Sequence, residues 1–297
     1  RNKKIYMKII KYFFEFISVI SLFAIFKILG LKNSSNLGSF LGRFLGPFFR
    51  SASIIKQNIT IGLGNISKEK QNQIINEMWS NIGRTFAEYI FLKDFKFNTT
   101  KFNHMKINGK KYLDQIKESN EPVIFYSGHF GNFELMAMEI DKFGIKTAAI
   151  YRPLNNFFLN PVMEYLRMKY ICGNQIPKGR AGTRQIINKL KDNYSIALMV
   201  DQRVSEGASI KFFNKPSQTT TIPAQIALKY DYKLVPIFLE RQGGVNFEIT
   251  IHEPYKVENT GDVKNDIKNI TLKINQKIEK MVVQNPGQWL WSHNRWK

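Results

Sequence analysis

Residues 123–134 read VIFYSGHFGNFE, and this stretch decides how the centre of the chain folds. The apolar run Val123–Tyr126 has the length and composition of a buried strand. Glycines on both sides of His129 permit a tight turn after it. On one continuous helix, His129 and Glu134 would point about 140° apart, at roughly 3.6 residues per turn. The sequence therefore predicts a strand, a turn that carries His129, and a helix whose first turn contains Glu134.

This arrangement brings an imidazole and a carboxylate towards one site. A carboxylate beside a histidine fixes the tautomer of the ring and raises its basicity, which is what a general base requires. We therefore take His129 and Glu134 as the candidate catalytic pair. The alternative is a core histidine with a local hydrogen bond and no part in chemistry.

Strands and helices alternate along the rest of the chain. Apolar residues at helical spacing predict a helix over 67–92, and Ser67 is suited to cap it. We expect strands at 122–126, 146–151, 195–200, 234–239 and 245–252, helices at 133–143, 160–170, 183–191, 223–230 and 262–283, and a pocket-shaping loop at 212–223. This alternation is typical of an α/β fold with a mostly parallel central sheet flanked by helices.

Polar residues follow three of these strands. His129, Arg152 and Asp201 each come shortly after a strand end. Ligands of open α/β sheets bind beyond the carboxyl ends of the strands. The sequence therefore predicts that these three side chains converge on one edge of the sheet.

Composition limits the class of partner. The chain has 297 residues, is 43% hydrophobic and carries a formal net charge of +21, which fits one large catalytic domain. From Arg152 to Lys191 there are eight basic residues and one acidic residue. Such a field attracts an acidic protein, anionic lipid or nucleic acid. Nucleic acid is the weaker of these, because no helix-turn-helix, zinc-finger or RRM signature is present.

A single cysteine, Cys172, excludes a disulfide framework, and the absence of a Cys/His cluster argues against a structural zinc site. Residues 177–184 read PKGRAGTR and open a predicted helix. Amides at such a helix start bind phosphate, and Arg180 and Arg184 would reinforce that binding. No GK[ST] closes the stretch, so it is not a Walker A loop. The alternative is a solvated loop.

The N-terminal segment is apolar enough to enter a membrane. Residues 12–31 number twenty, about the length that spans a hydrocarbon core, and their only charges are Glu15 and Lys27. We interpret residues 1–31 as a membrane anchor and residues 32–297 as a single catalytic domain. The anchor either spans the bilayer or lies in its interface. The alternative is a buried core helix.

Together these motifs resemble the bacterial lipid A biosynthesis acyltransferases, the late or secondary acyltransferases of lipopolysaccharide assembly that include lauroyl and myristoyl transferases. The resemblance covers nearly the whole chain and departs from the family pattern at Phe133. It rests on the apolar N-terminus, His129 and Glu134 as a His-x4-Glu motif, Tyr151-Arg152-Pro153, Gly179-Arg180, Asp201-Gln202, the FF and TIPA motifs at 212–213 and 221–224, and the closing QWLWSHNRWK at 288–297.

The resemblance implies a glycerolipid-acyltransferase-like fold and a reaction. An acyl chain would pass from an acyl carrier protein thioester to a hydroxyl of a 3-hydroxyacyl chain on a lipid A precursor. His129 would remove the hydroxyl proton, and Glu134 would orient the imidazole. Arg167 and the amides around Gly131 are the candidate oxyanion donors, and Asp201 would position Arg167. The residues implied to bind substrate are Arg152, Arg167, Arg180, Arg184 and Asp201.

The same resemblance implies the setting of the protein. No cofactor and no metal are expected. The partners would be acyl carrier protein, the lipid A precursor and anionic membrane lipid, at the bacterial inner membrane with the catalytic domain facing the cytoplasm. Two alternatives remain open: an acyltransferase that acts on another phospholipid, glycolipid or aminolipid, and a membrane protein that binds anionic lipid without catalysis.

Overall fold

The computed structural model describes residues 2–100 and 102–297. Nine strands form in this part of the chain: β1 (Met105–Asn108), β2 (Val123–Ser127), β3 (Thr147–Tyr151), β4 (Gln175–Pro177), β5 (Ser195–Met199), β6 (Ala208–Phe212), β7 (Lys215–Thr219), β8 (Lys233–Gly243) and β9 (Asn246–Ile251). Seven of them make a central sheet in the order β1-β9-β8-β2-β5-β3-β4. All neighbouring strands in it are parallel except the β8–β9 pair.

Helices cover the sheet and extend from it. They are α1 (Asn2–Phe49), α2 (Ala52–Leu63), α3 (Lys68–Glu88), α4 (Leu92–Phe97), α5 (Lys110–Ser119), α6 (Glu134–Lys142), α7 (Asn160–Leu166), α8 (Arg180–Lys191), α9 (Ile222–Tyr230) and α10 (Val263–Gln284). The predicted α/β fold with a mostly parallel sheet and a long apolar N-terminal helix is confirmed.

The central sheet is buried on both faces, as the continuous apolar run at β2 requires. Side chains alternate along a strand, so Val123 and Phe125 join one hydrophobic cluster while Ile124 and Tyr126 join another. All five residues of β2 are buried. The strand therefore holds the turn that follows it against a close-packed support on each side.

The structure differs from the predicted elements in three places. The region expected to be a pocket-shaping loop contains the antiparallel hairpin β6–β7. The helix expected over 160–170 ends as α7 at Leu166 and continues as a π-helical turn, Arg167–Ile171. The helix expected over 67–92 is α3, which Ser67 caps by accepting a hydrogen bond from Lys70 N, followed by a 3-10 turn, Tyr89–Phe91, and α4.

Helix α1 is longer than the predicted anchor and is kinked at Gly30, whose φ of 75° lies in the left-handed region. Beyond the kink it packs closely on α3. A Cβ added at Gly42 would lie 2.2 Å from the Trp79 carbonyl oxygen, and one at Gly83 would lie 2.0 Å from the Gly38 carbonyl oxygen. Small residues are needed here because the two backbones touch. Helix α1 is long and apolar enough to cross a membrane, with a mean hydropathy of 2.1 in its most apolar window.

Candidate active site

A cavity of about 550 Å³ opens at the carboxyl ends of β2, β5 and β3. His129, Glu134, Arg152 and Arg167 line it together with a largely apolar wall that includes Met78, Ile82, Phe86, Met136, Ala149, Ile150 and Leu198. Its size lies within the range of small-molecule binding sites. A mostly apolar wall that also carries charged side chains suits a ligand that has a hydrocarbon chain and a reactive head.

The turn after β2 places His129 as its sequence predicts. Gly131 has a φ of 51°, a left-handed conformation that favours glycine. Gly128 is needed for a different reason: a Cβ there would lie 2.7 Å from the Phe130 ring and 3.2 Å from Asp201 Oδ2. Glu134 is the first residue of α6. The strand, the turn and the helix start are therefore all confirmed.

Asp201 holds the imidazole. His129 Nδ1 lies 2.7 Å from Asp201 Oδ1, and the backbone N–H of His129 donates to Oδ2 at 2.8 Å. A carboxylate only accepts hydrogen bonds, so the ring carries its proton on Nδ1. This tautomer leaves the lone pair on Nε2, the nitrogen that a general base uses. Gln202 Nε2 lies 3.4 Å from His129 Nε2.

Asp201 stays ionised although it is 2% exposed. Burial alone raises the pKa of a carboxyl group. Here burial is outweighed by electrostatic attraction to His129 and by hydrogen bonds from His129 and from the indole N–H of Trp289. Together they lower the pKa of Asp201 to about 2. The Trp289 bond is 2.8 Å long. Asp201 is therefore a fixed negative charge behind the imidazole at any physiological pH.

Glu134 makes a second ion pair, with Arg167. Arg167 Nη2 and Nε donate to Glu134 Oε1 at 2.5 and 3.1 Å, and Tyr89 Oη donates to the same oxygen at 3.4 Å. Burial disfavours a charged guanidinium, but Glu134 and Tyr89 outweigh it and raise the pKa of Arg167. The guanidinium lies between the rings of Tyr89 and Tyr151, 5.7 and 5.3 Å from their centroids. Its Nη1 is buried without a hydrogen-bond partner among the described residues.

The structure pairs these four side chains differently from the prediction. Sequence reasoning matched Glu134 with His129 and Asp201 with Arg167. The hydrogen bonds instead join Asp201 to His129 and Glu134 to Arg167. The reason is topology: β2 and β5 are neighbours, so the residues just beyond their ends meet. The acid in the following helix turns towards the π-helical segment that carries Arg167.

The other predicted site residues differ in where the structure places them. Arg152 and Gly131 line the cavity, and Lys178, which the prediction did not single out, lies with Arg152 at its rim. Arg184 is exposed on α8 and is not among the residues that line the cavity. The side chain of Arg180 lies outside what the structure describes.

A buried polar network supports the turn that carries His129. The Gly131 carbonyl accepts hydrogen bonds from Asn81 and Thr85 on α3, at 2.9 and 3.1 Å. Asn132 donates to Glu88, which forms a buried ion pair with Arg241 of β8. Sequence reasoning placed part of this α3 segment in a core stripe, and no motif marks its polar members. Only the three-dimensional structure shows that they hold the turn.

Comparison with known proteins identifies this architecture. The model of the family described as bacterial lipid A biosynthesis acyltransferase matches residues 1–297. This chain belongs to the bacterial lipid A biosynthesis acyltransferase family. Its activity is accordingly acyl transfer in lipid A biosynthesis, and its acceptor is a lipid of the lipid A type. The predicted family assignment is confirmed.

Curated members of the lipid A acyltransferase family resemble the chain over most of its length at low identity. The lipid A biosynthesis palmitoleoyltransferase of Escherichia coli (strain K12) is 24% identical over 270 residues, which cover 88% of this chain and 84% of that protein. The myristoyltransferase of the same strain is 21% identical, covering 86% and 77%. The lauroyltransferase of that strain is 20% identical, covering 88% and 84%. These relatives differ in the acyl chain that their names specify.

Proposed function

We propose that the protein transfers a fatty acyl chain from an acyl carrier protein thioester to the hydroxyl of a 3-hydroxyacyl chain on a lipid A precursor. The observation that carries the proposal is that His129, which is paired with Asp201, lines a mostly apolar cavity. The lone pair of His129 Nε2 accepts the hydroxyl proton, in place of its long contact with Gln202, while the oxygen attacks the thioester carbonyl. Asp201 keeps the ring oriented and stabilises the imidazolium that forms.

Arg167 is our candidate for stabilising the tetrahedral intermediate. An oxyanion develops on the thioester carbonyl oxygen as the new C–O bond forms. Arg167 lines the same cavity, and its Nη1 is a buried donor without a partner among the described residues. Glu134 and the two tyrosine rings hold that guanidinium in place. The intermediate then expels the carrier thiolate, which takes its proton from His129, so both protein groups return to their starting state.

Charge and location support the choice of donor and acceptor. Arg152 and Lys178 make the cavity rim positive, and the surrounding sequence is strongly basic. A positive rim attracts both an acidic carrier protein and a phosphorylated lipid headgroup. Because the donor is a cytoplasmic protein, we place the catalytic domain on the cytoplasmic side of the inner membrane. The proposal requires no cofactor.

The reaction is tested with purified protein, lipid A precursor and acyl chains supplied on acyl carrier protein or on coenzyme A. We expect one acyl group to be added to the precursor, with the carrier protein as the preferred donor. His129→Ala should lower the rate by several orders of magnitude, because the base is lost. His252→Gln is the matched control, since that histidine lies outside the cavity lining. Equal rates for the His129 variant and the parent would remove His129 from the mechanism.

Mass spectrometry of lipid A from cells with and without the protein tests the acceptor. A mass difference of one acyl chain supports the proposed acceptor and gives the chain length. Unchanged lipid A together with an altered phospholipid, glycolipid or aminolipid would point to a different acceptor. Unchanged lipids throughout would favour a protein that binds anionic lipid without catalysis.

A further inference from the structure

From Tyr12 onward, helix α1 contacts the body of the protein. One face of the helix is buried or half-buried at intervals of about one turn, starting at Tyr12. The members of this face are Tyr12, Phe16, Val19, Phe23, Phe26, Gly30, Ser34, Leu37, Gly38, Leu41, Gly42 and Gly46.

A loop of the catalytic domain is attached to the N-terminal end of the predicted span. Asn156 Nδ2 donates to the Tyr12 carbonyl at 2.8 Å and to Glu15 Oε2 at 3.1 Å, and Asn156 is itself buried. Phe158 packs on the rings of Phe13 and Phe16, with centroids 5.7 and 6.2 Å apart. These contacts tie residues 156–158 to the helix by both polar and apolar groups.

A second attachment lies about three turns further along the helix. Phe23 and Phe26 are buried and pack on Phe86 of α3. Lys27 Nζ lies 3.9 Å from Asp94 of α4 and over the ring of Phe91. The predicted span, 12–31, is therefore in contact with the folded domain at both of its ends.

These attachments conflict with a helix that crosses the bilayer. If residues 12–31 spanned the bilayer, Asn156 and Asp94 would lie near opposite faces of it, and the part of the folded domain that connects them would pass through hydrocarbon. Irregular backbone facing lipid leaves N–H and C=O groups without hydrogen-bond partners, which is strongly unfavourable. A helix lying in the plane of the interface meets no such cost, because its polar contacts stay on the protein side.

The outward face of α1 has the composition of a surface that enters lipid. Its exposed large apolar residues are Ile5, Tyr6, Met7, Ile9, Ile10, Phe13, Phe14, Ile17, Ile25, Ile28, Leu29, Phe40, Phe44, Leu45, Phe48 and Phe49. Next to it, the loop exposes Leu154 and Phe157, which are 37% and 51% exposed. Tyr12 packs edge-on against Phe157, so the two apolar surfaces are continuous. Lysines along α1, including Lys8 and Lys32, suit anionic headgroups.

We propose that α1 does not cross the membrane but lies in its interface, and that the loop of residues 154–158 enters the lipid beside it. The occupant of this surface is an anionic bilayer. Arg152, Pro153, Leu154 and Asn155 also line the cavity, so the mouth of the cavity meets the membrane at the loop. A lipid acceptor then reaches the site from within its own leaflet without leaving the bilayer. This placement stands independently of which acyl group the protein transfers.

Topology is measured by cysteine labelling in spheroplasts. Lys8→Cys is placed before the apolar segment, and Val263→Cys, on α10, reports the catalytic domain. The parent protein is the negative control, because its Cys172 is buried. A membrane-impermeant maleimide should label neither variant in intact spheroplasts. It should label both variants after lysis. Labelling of one variant but not the other in intact spheroplasts places the two sites on opposite sides and overturns the proposal.

Insertion of the loop is measured by fluorescence quenching. Phe157→Trp is compared with Val263→Trp on phosphatidylglycerol-containing vesicles whose acyl chains are brominated near the headgroup. All four native tryptophans are buried or half-buried, so the parent protein gives the baseline. We expect quenching well above that baseline for Phe157→Trp only. Equal quenching for the two variants would show that the loop stays outside the lipid.

Discussion

At the residue scale, Asp201 has the clearest consequence for catalysis. Asp201→Asn keeps the shape of the side chain but removes the charge and lets the amide favour the wrong imidazole tautomer. We expect kcat to fall on the order of 10³–10⁴-fold with little change in KM, because Asp201 contacts His129 and Trp289 rather than the cavity space. Steady-state kinetics of acyl transfer provide the measurement.

The control for the Asp201 experiment is Asp231→Asn, an exposed aspartate paired with Lys256 on the surface. It should retain the parent kcat. If Asp201→Asn turned over at the rate of this control, the imidazole would not depend on Asp201 for its orientation.

Arg167 gives a second prediction at the same scale. Lysine retains the positive charge but cannot bind Glu134 through two nitrogens while offering a third donor to the oxyanion. Arg167→Lys should therefore lower kcat by about 10²–10³-fold, the usual effect of removing one oxyanion donor. Arg43→Lys, at an exposed position of α1, serves as the matched control. A change confined to KM would mean that Arg167 binds substrate and takes no part in stabilising the transition state.

The sequence predicted that these residues lie near one another, but it did not predict which of them pair. A glycine-bracketed histidine after an apolar run is a local signal, and so is an acid at a helix start. Which carboxylate faces the imidazole depends on the order of the strands, since β5 lies beside β2 only after a crossover through β3. The partner of Arg167 depends on a π-helical turn, and spacing of apolar residues does not reveal a single inserted residue.

At the element scale, the α1–α3 contact depends on glycine. Gly42→Leu adds a side chain where a Cβ alone would lie 2.2 Å from a carbonyl oxygen, and backbone cannot move aside as a flexible side chain does. We expect a loss of about 1–3 kcal/mol in the free energy of unfolding. Chemical denaturation in detergent measures it. Phe44→Leu, at a site that is 63% exposed, should leave the midpoint nearly unchanged.

Periodicity predicted the elements that pack in a regular way and missed those that do not. In the strands of the central sheet apolar residues repeat about every two residues, and in the amphipathic helices around it about every 3.6 residues. Lys215 and Pro216 weaken the strand pattern of β7, and the sequence predicts a loop where part of the β6–β7 hairpin forms. Its stability comes from elsewhere: Arg295 donates to Ser217, Thr219 and the Gln218 carbonyl from the far end of the chain.

At the scale of the whole molecule, the C-terminal segment joins the site to distant elements. Trp289 bonds Asp201, and Asn58 of α2 donates to the carbonyls of Trp291 and His293. Arg295 is fully buried, and burial lowers its pKa to about 10. The closing motif of the family is thus a structural clamp that also reaches the candidate base. The family resemblance rests in part on its aromatic and cationic residues, but only the fold shows which groups these residues contact.

His293 makes this clamp sensitive to acid. Its Nε2 accepts a hydrogen bond from the backbone N–H of Arg203 at 2.9 Å, which requires a neutral ring. Burial lowers the pKa of His293 from 6.5 to about 4. His129, Arg295 and Arg50 also lower this pKa, whereas Asp201 raises it. Between these values the unfolded chain binds a proton that the folded chain does not. Stability must therefore fall as the pH falls from 6.5 to 4.

We expect the parent protein to lose roughly 3 kcal/mol of stability over this range from His293 alone, since each pKa unit corresponds to about 1.4 kcal/mol. His293→Gln retains an acceptor for Arg203 but has no titrating group, so its dependence on pH should be shallower. Thermal unfolding midpoints of both proteins, measured in steps from pH 7 to pH 4, give the comparison. Because His252 also has a pKa lowered to about 4, by burial and Lys277, a residual slope persists in the variant. Parallel curves for the two proteins would show that protonation of His293 does not open the clamp.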